Sequence, residues 1–454
     1  MLSAFTNSFK IPELRQRILF TFGLLIICRI IALIPTPGVD ATAVQRLMEE
    51  VARSSGGSFL GLFDLFTGGA IQQCAIGALG IMPSISASII LQLLTAVVPS
   101  LERLAREGDA GRQQIIQYGR YLTVLLCLIQ GYAWATMLEH PESLFGIHAD
   151  IVQNPGWSFR LMTILTMTTG TMLLMWLGEQ MTERGIGNGI SLIITVSIIS
   201  RLPTSVSQFF NMFKAPEGGV AQFSVVHGAF LLVMLFGVIA GVVALTQAQR
   251  RIPVQYAKRV IGRKVYGGQS TYMPLRVNYS GVMPIIFAQA ILMFPSKIFD
   301  MLYKGTHVEF FQTIASSLYI GSALYTTIYA LMILFFSYFW VATQFHPVQI
   351  ADDLKKYGGY VPGIRPGTPT AEFLDKAMTR ITLAGAIFLT IIAVLPQMMG
   401  QQFRIPWSVS QFFGGTSLLI TVGVMLDTMR QVESHLIMRH YDGFLSKGKL
   451  RSRR

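Results

Sequence analysis

Residues able to carry out a reaction are sparse in this chain of 454 residues. It holds no HExxH, no G-x-S-x-G and no GxxxxGK[ST], and no aspartate pair falls within one apolar stretch. The side chains for metal-assisted hydrolysis, serine acyl transfer or nucleotide hydrolysis are therefore not assembled by any motif. Gly185-Ile186-Gly187-Asn188-Gly189 has the glycine spacing of a phosphate-binding loop. It lacks the strand and the lysine that such a loop needs, and it reads as a tight turn between two helices. Cys28, Cys74 and Cys127 form no CxxC and sit among apolar neighbours, the setting of buried reduced thiols. No cofactor is implied. What remains is isoleucine at helical spacing: Ile81 with Ile85, and Ile190 with Ile194. Each pair shares one helix face. Core packing is the ordinary use of such pairs, and a hydrophobic constriction is the alternative that carries a function.

The elements that position these residues are membrane spans. Hydrophobic residues make up 52% of the chain and charged ones only 13%, against roughly 25% charged in a soluble protein. Ten apolar segments can cross a bilayer, at 18–34, 75–98, 121–138, 160–178, 187–202, 224–246, 281–296, 317–342, 381–396 and 414–429. The fifth, seventh and ninth are short and contain or abut Gly or Pro, which suits a bundle interior. With a cytoplasmic N-terminus and alternating spans, 27 Lys and Arg fall in cytoplasmic pieces and eight in outer loops. That asymmetry places both termini in the cytoplasm. No cleavable signal peptide is evident, because the first apolar run is long and ends in Pro35-Thr36-Pro37-Gly38.

The chain also reads as doubled. Gly80-Ile81-Met82-Pro83-Ser84-Ile85-Ser86-Ala87 in segment two and Gly281-Val282-Met283-Pro284-Ile285-Ile286-Phe287-Ala288 in segment seven share G-x-M-P-x-I-x-A. They lie five spans apart, so the copies run oppositely across the bilayer, as in an inverted repeat. Each proline is expected to kink its helix. Residues 59–69 are apolar but about half a span long. Leu62, Phe63, Leu65 and Phe66 suit a short helix ended by the Gly68-Gly69 pair. It either packs re-entrantly into protein or lies on the membrane surface. Arg29, inside the first segment, is expected to find an ion pair or backbone carbonyls.

Four stretches carry a resemblance to a known family. They are Ala78-Leu79-Gly80-Ile81-Met82-Pro83 continuing through Ile85-Ser86-Ala87-Ser88-Ile89-Ile90; Trp176-Leu177-Gly178-Glu179-Gln180 through Gly189; Val361-Pro362-Gly363-Ile364-Arg365-Pro366-Gly367; and Gly414-Gly415-Thr416-Ser417-Leu418-Leu419-Ile420. Over nearly its whole length the chain resembles the SecY family, the central subunits of the bacterial Sec protein-conducting channel. The resemblance implies an all-α polytopic membrane protein of ten transmembrane helices in two inverted halves of five. The expected division is an arm at 1–17, halves at 18–205 and 206–432, and a basic tail at 433–454. A pore ring is implied at Ile81, Ile85, Ile190, Ile194, Ile286 and Ile420. A re-entrant plug on the outer side is implied at 59–69, with Phe59, Leu62, Phe63, Leu65 and Phe66. A lateral gate between segments two and seven is implied at Ser86 and Phe294, with Gln92 and Gln289 near it.

The implied partners are a SecE-like and a SecG-like small membrane subunit, the SecA motor ATPase, the ribosome, unfolded preproteins and nascent membrane proteins, all at the bacterial inner membrane. The loop 247–279 holds seven Lys and Arg and no acid. Arg263 and Lys264 are expected to meet ribosomal RNA, whose phosphates reward each cation through counterion release; the same density also suits an acidic surface on a motor. The loop 344–380 is nearly balanced, five basic against four acidic. There Arg365, between Pro362-Gly363 and Pro366-Gly367, is expected to dock the motor. Phe345-His346-Pro347-Val348 departs from the family, in which Arg often follows Asn-Pro, so a partner contact at that position is not expected. A secondary transporter for a small solute shares inverted repeats and broken helices. It would place polar coordinating groups where this chain has isoleucine. A membrane enzyme lacks a nucleophile or metal set.

Overall fold

The computed structural model describes residues 11–53, 64, 66–142, 151–213, 225–256, 259–261, 264–266, 270–306, 308–318, 322–403, 405, 407–413 and 415–447. The chain forms two compact units. The first comprises 1–222, 407–409 and 424–454, and the second 223–406 and 410–423.

The first unit opens with α1, Pro12–Ile31. Pro12 sits in its first turn, where a missing N–H costs nothing, with Glu13 beside it and Arg29 in the last turn, as the helix dipole favours. An amphipathic α2, Ala41–Arg53, follows. The Asp40 carboxylate accepts from the Thr42 amide at 2.9 Å and so starts that helix. Helices α3, Met82–Val97, and α4, Pro99–Arg106, meet at a bend of 104° at Val98. Long helices α5, Asp109–Glu139, and α6, Trp157–Arg184, pack together. Gly131 lets α5 approach α6, since a Cβ there would lie 3.4 Å from the Ile164 Cα. Glu139 closes the joined ends, accepting from Arg160 at 2.6 Å and from the Gly156 amide at 2.8 Å. The unit continues with α7, Gly189–Ser200, and α8, Leu202–Met212.

The second unit holds α9, Val225–Gln247; α10, Met283–Thr306; α11, Glu309–Ser317; α12, Ala323–Gln344; α13, Pro347–Lys356; α14, Thr368–Gln402; and α15, Trp407–Phe413, up to Val409 of which is assigned to the first unit. The last helix, α16, Thr416–Lys447, belongs to this unit as far as Gly423 and to the first from Val424. An all-α reading missed one feature of the 247–279 stretch. Strands β1, Gln249–Tyr256, and β4, Ser270–Arg276, pair antiparallel from Gln249 opposite Arg276 to Gln255 opposite Ser270. Strand β5, Gly359–Tyr360, adds on the other side of β1, and β2, Arg259–Ile261, pairs with β3, Lys264–Tyr266. Ile252 and Val254 alternate inward along β1 while Arg250 and Arg251 face out. Ile252 and Leu275 root the hairpin in a core with Phe345, Val361, Leu374 and Met378. Each such side chain contributes about 1.5–3 kcal/mol on leaving water.

Each of the ten apolar segments corresponds to a helix, in order α1, α3, α5, α6, α7, α9, α10, α12, α14 and α16. Seven described stretches are long and apolar enough to cross a membrane, with α7 and α8, α12 and α13, and α15 and α16 each counting together, and the bent α3–α4 pair makes an eighth. Of the others, α1 is 20 residues long and carries charges, and α10 has a short apolar part, Met283–Leu292.

The expected kinks at Pro83 and Pro284 are not kinks. Both helices begin at the methionine before the proline, and each start follows a glycine in the left-handed region, Gly80 at φ +58° and Gly281 at φ +62°. Proline at a helix start loses no bond, and the glycine turns the chain into it. The repeated motif is thus a helix-start signal used twice. Of residues 75–81, read as part of a span, Ala75 forms an isolated bridge with Pro35 and 76–81 are turns. They lie close to α6, where a Cβ on Gly170 would sit 2.3 Å from the Ile76 carbonyl oxygen. Gly170→Ala is therefore expected to destabilise the folded chain by about 1–3 kcal/mol. A lowered unfolding midpoint of the purified chain in detergent would register this, and an unchanged midpoint would refute the close packing.

Candidate functional site

The isoleucines divide between the units. Ile81 caps the start of α3, and its carbonyl accepts the Ile85 amide at 3.1 Å, so the two sit one turn apart. Ile190 and Ile194 lie on α7. Ile81, Ile85 and Ile194 are buried and Ile190 is half-buried. In the second unit Ile286 lies near the start of α10 and Ile420 near the start of α16, both buried. Helix α7 starts firmly because the Asn188 side chain accepts from the Ser191 amide at 3.1 Å.

The glycine turn before α7 uses its amides within the protein. Ile186 donates to the Thr21 hydroxyl at 3.1 Å, Gly187 to the Gln431 side-chain Oε1 at 2.9 Å, and Gly189 to the Thr182 hydroxyl at 2.8 Å. A Cβ on Gly189 would lie 2.0 Å from the Gly178 carbonyl oxygen. This is a helix–helix turn that ties α1, α6, α7 and α16 together, with the amides of Gly185, Ile186, Gly187 and Gly189 used within the protein.

Of the segment 59–69, Phe59, Leu62, Phe63 and Leu65 lie outside the described residues. Phe66 is buried, and it lines a small cavity with Leu25, Ile81, Leu174 and Ile193. The segment therefore touches the same space as Ile81. Beside it lies a polar cluster of which the sequence singled out Arg29 but not Asp64 or Arg201. Arg201, directly after α7, donates to the Asp64 carboxylate. Arg29 of α1 donates through both terminal nitrogens to the Gly68 carbonyl oxygen, at 3.2 and 3.1 Å. Arg29 thus reaches a backbone carbonyl, as a cation inside a span requires. Burial pushes the Asp64 carboxyl up to about 6, with Arg201 pulling it back down. A lone acid in an apolar run was the available signal for this cluster.

The gate residues fall on two helices. Ser86 and Gln92 are half-buried on α3. Gln289 and Phe294 belong to α10, and the Phe294 side chain is outside the described residues. Gln289 is buried and donates to the Thr416 hydroxyl at 3.2 Å, which donates to Gln411 at 2.9 Å. Its amide is committed to the start of α16.

Arg263 lies outside the described residues, and Lys264 opens β3. Arg250, Arg251 and Arg276 are exposed on β1 and β4. Arg365 is exposed in a turn bounded by Gly363 at φ +83° and Gly367 at φ +100°. Its carbonyl accepts the Thr370 hydroxyl at 2.8 Å, fixing the turn against the start of α14.

A sequence model of the SecY family matches residues 75–429. The protein translocase subunit SecY of Chlamydia trachomatis is 42% identical over 98% of this chain and 98% of the relative. This chain belongs to the SecY family. Two solved structures share its fold. One is a protein-conducting channel, at TM-score 0.61 and 18% identity, covering 96% of this chain and 94% of the other. The second is Sec61 from the canine ribosome–channel complex of the endoplasmic reticulum, at TM-score 0.56 and 16% identity with the same coverage. Membership of the SecY family identifies a multi-pass membrane channel subunit, and not an enzyme.

Proposed function

We infer that this chain is the pore-forming subunit of a Sec translocon. It conducts unfolded polypeptides across the bacterial inner membrane and releases apolar segments sideways into lipid. The observation that carries this reading is the full-length SecY similarity, at 42% identity over 98% of the chain. The two helix starts that share G-x-M-P support the inverted halves of five helices, and the excess of Lys and Arg in alternate loops supports both termini in the cytoplasm.

The physics is that of a passage without a binding site. An unfolded chain in lipid would strand backbone groups at several kcal/mol each. A wet funnel on each side removes most of that cost. At the waist, the six isoleucines offer a passing side chain no charge and no hydrogen bond, and they dewet when the pore is empty. The segment 59–69 plugs the outer funnel, supported by Phe66 lining one cavity with Ile81. Parting of α3 from α10 lets an apolar client segment partition into the bilayer, gaining about 0.3–0.6 kcal/mol per Leu, Ile, Phe or Val near the centre.

The partners follow from the family and from the exposed cations. SecE-like and SecG-like subunits assemble with the helices, and SecA and the ribosome share the cytoplasmic face. The β1–β4 hairpin, with its exposed arginines, suits ribosomal phosphates. Charge reversal at Arg263 and Lys264 is expected to weaken ribosome binding and flatten its salt dependence. Arg365→Glu is expected to stop SecA-driven transport, with a loss of about tenfold or more for an exposed guanidinium turned to the wrong sign, and to leave assembly with the small subunits intact. Normal transport by Arg365→Glu in reconstituted vesicles would remove Arg365 from the motor contact.

A further inference from the structure

Asp64 and Arg201 are 137 residues apart in sequence and joined by an ion pair. Asp64 is buried, with 8% of its surface exposed. An acid so placed costs several kcal/mol unless a cation meets it. The next turn of the same segment carries a second contact. The Gly68 carbonyl oxygen receives both terminal nitrogens of Arg29 and lies 3.2 Å from the Ser200 hydroxyl. The Gly68 and Gly69 amides both turn back to the Asp64 carbonyl, at 2.8 and 3.2 Å. The carboxylate and the Gly68 carbonyl are thus held by one short turn.

The glycine pair does more than end a helix. Gly68 has φ +66° and Gly69 φ +98°. A Cβ on Gly68 would lie 2.5 Å from an Arg29 nitrogen and 2.8 Å from the Ser197 Cα. A Cβ on Gly69 would lie 3.2 Å from the Arg201 guanidinium carbon. Only glycine leaves room for two guanidiniums against this backbone. The grip is also incomplete. The second Asp64 oxygen and the Arg201 Nε have no hydrogen-bond partner among the described residues. The pair is therefore not a two-pronged fork: Arg201 meets the carboxylate, and Arg29 is held one turn on by the Gly68 carbonyl. Such a contact can hold a segment and still let it go.

We propose that Asp64, Arg201 and Arg29 form a charge latch that keeps the segment 64–69 seated against the ends of α1 and α7, and that opening this latch is the step that frees the plug. The proposal rests on the plug reading. Arg201 and Arg29 are positioning residues in it, acting through the segment they hold and not on the translocating chain.

The test is resting chloride conductance of the full chain, purified with its small membrane subunits and reconstituted in a planar bilayer. Arg201→Gln and Asp64→Asn are each expected to raise it about tenfold, equivalent to about 1.4 kcal/mol of seating free energy. The double variant is expected to leak no more than either single, because both remove one interaction. Arg201→Lys, which keeps the charge, is expected to stay close to the parent. Deletion of residues 59–69 is the control. If the deletion leaks while Arg201→Gln and Asp64→Asn stay tight, the latch is wrong and the plug stands. If the deletion itself stays tight, the plug reading falls and takes the latch with it. Leaks that multiply, to about a hundredfold in the double variant, would mean independent sites and would also overturn the pairing. Should Arg201→Gln fail to accumulate, hydrogen exchange at the Gly68 and Gly69 amides of Asp64→Asn decides the matter. A rise of about tenfold in exchange rate supports the latch, and unchanged exchange overturns it.

Discussion

Replacing Ile81, Ile194 and Ile286 together by serine is expected to make the resting channel leak chloride, by about tenfold or more over the parent, as a narrow apolar constriction does once it wets. The substitution keeps the side chains short, so passage is not obstructed, and changes only their affinity for water. Each serine hydroxyl gives water a partner at the waist, which removes the cost of a continuous water file. Part of the effect would be structural, since all three side chains are buried. Valine at the same positions separates the two contributions, because it is nearly as apolar and smaller. Valine variants should stay tight, and serine variants should leak. Serine variants as tight to chloride as the parent in a planar bilayer would remove isoleucine from the seal.

The second large effect concerns the two helices that share a start signal. Cysteine at Ser86 on α3 and at Phe294 on α10 is expected to form a disulfide in the resting channel and to abolish transport, with reduction restoring it. A disulfide needs Cα atoms within about 7 Å, so its formation measures approach and its effect measures motion. Cys28, Cys74 and Cys127 are buried free thiols. Burial pushes the Cys74 thiol, which lies in the turns outside the spans, up to about 11 and keeps it unreactive. Background crosslinking should accordingly be low. Full transport through a channel that is completely crosslinked would eliminate lateral parting of α3 and α10 from the mechanism.

The residues differ in how far they could be read before folding. Apolar runs marked the ten helices, seven of which among the described residues, or eight with the bent α3–α4 pair, are long and apolar enough to cross a membrane, because the bilayer imposes one requirement on every segment that crosses it. The turn at Gly185–Gly189 was also readable, since glycines and a capping asparagine are local signals. The β1–β4 hairpin was missed although Ile252 and Val254 alternate with outward residues. Two inward positions are a weak pattern, and the density of arginine drew attention to charge instead. Pro83 and Pro284 were misread for a different reason. Proline is compatible with a helix kink and with a helix start, and the residue alone does not distinguish them. The left-handed glycines before them could have done so.

The composition and patterning of this chain therefore point to its solvent, its apolar helices and its family, all of which depend on local or short-period features. The partners of its buried charges depend on which helix ends meet. Arg29 had to find an acceptor, but that the acceptor is Gly68, held open by two glycines and flanked by Arg201, follows from the packing of α1 and α7 around the turn at 64–69. Asp64 and Arg201 carry no mark of each other in sequence, because an ion pair across 137 residues is set by where the chain returns. Local chemistry names the need for a partner, and only the folded chain supplies one, since the bilayer makes an unpaired charge costly on any helix while the packing of the helix ends decides which groups meet.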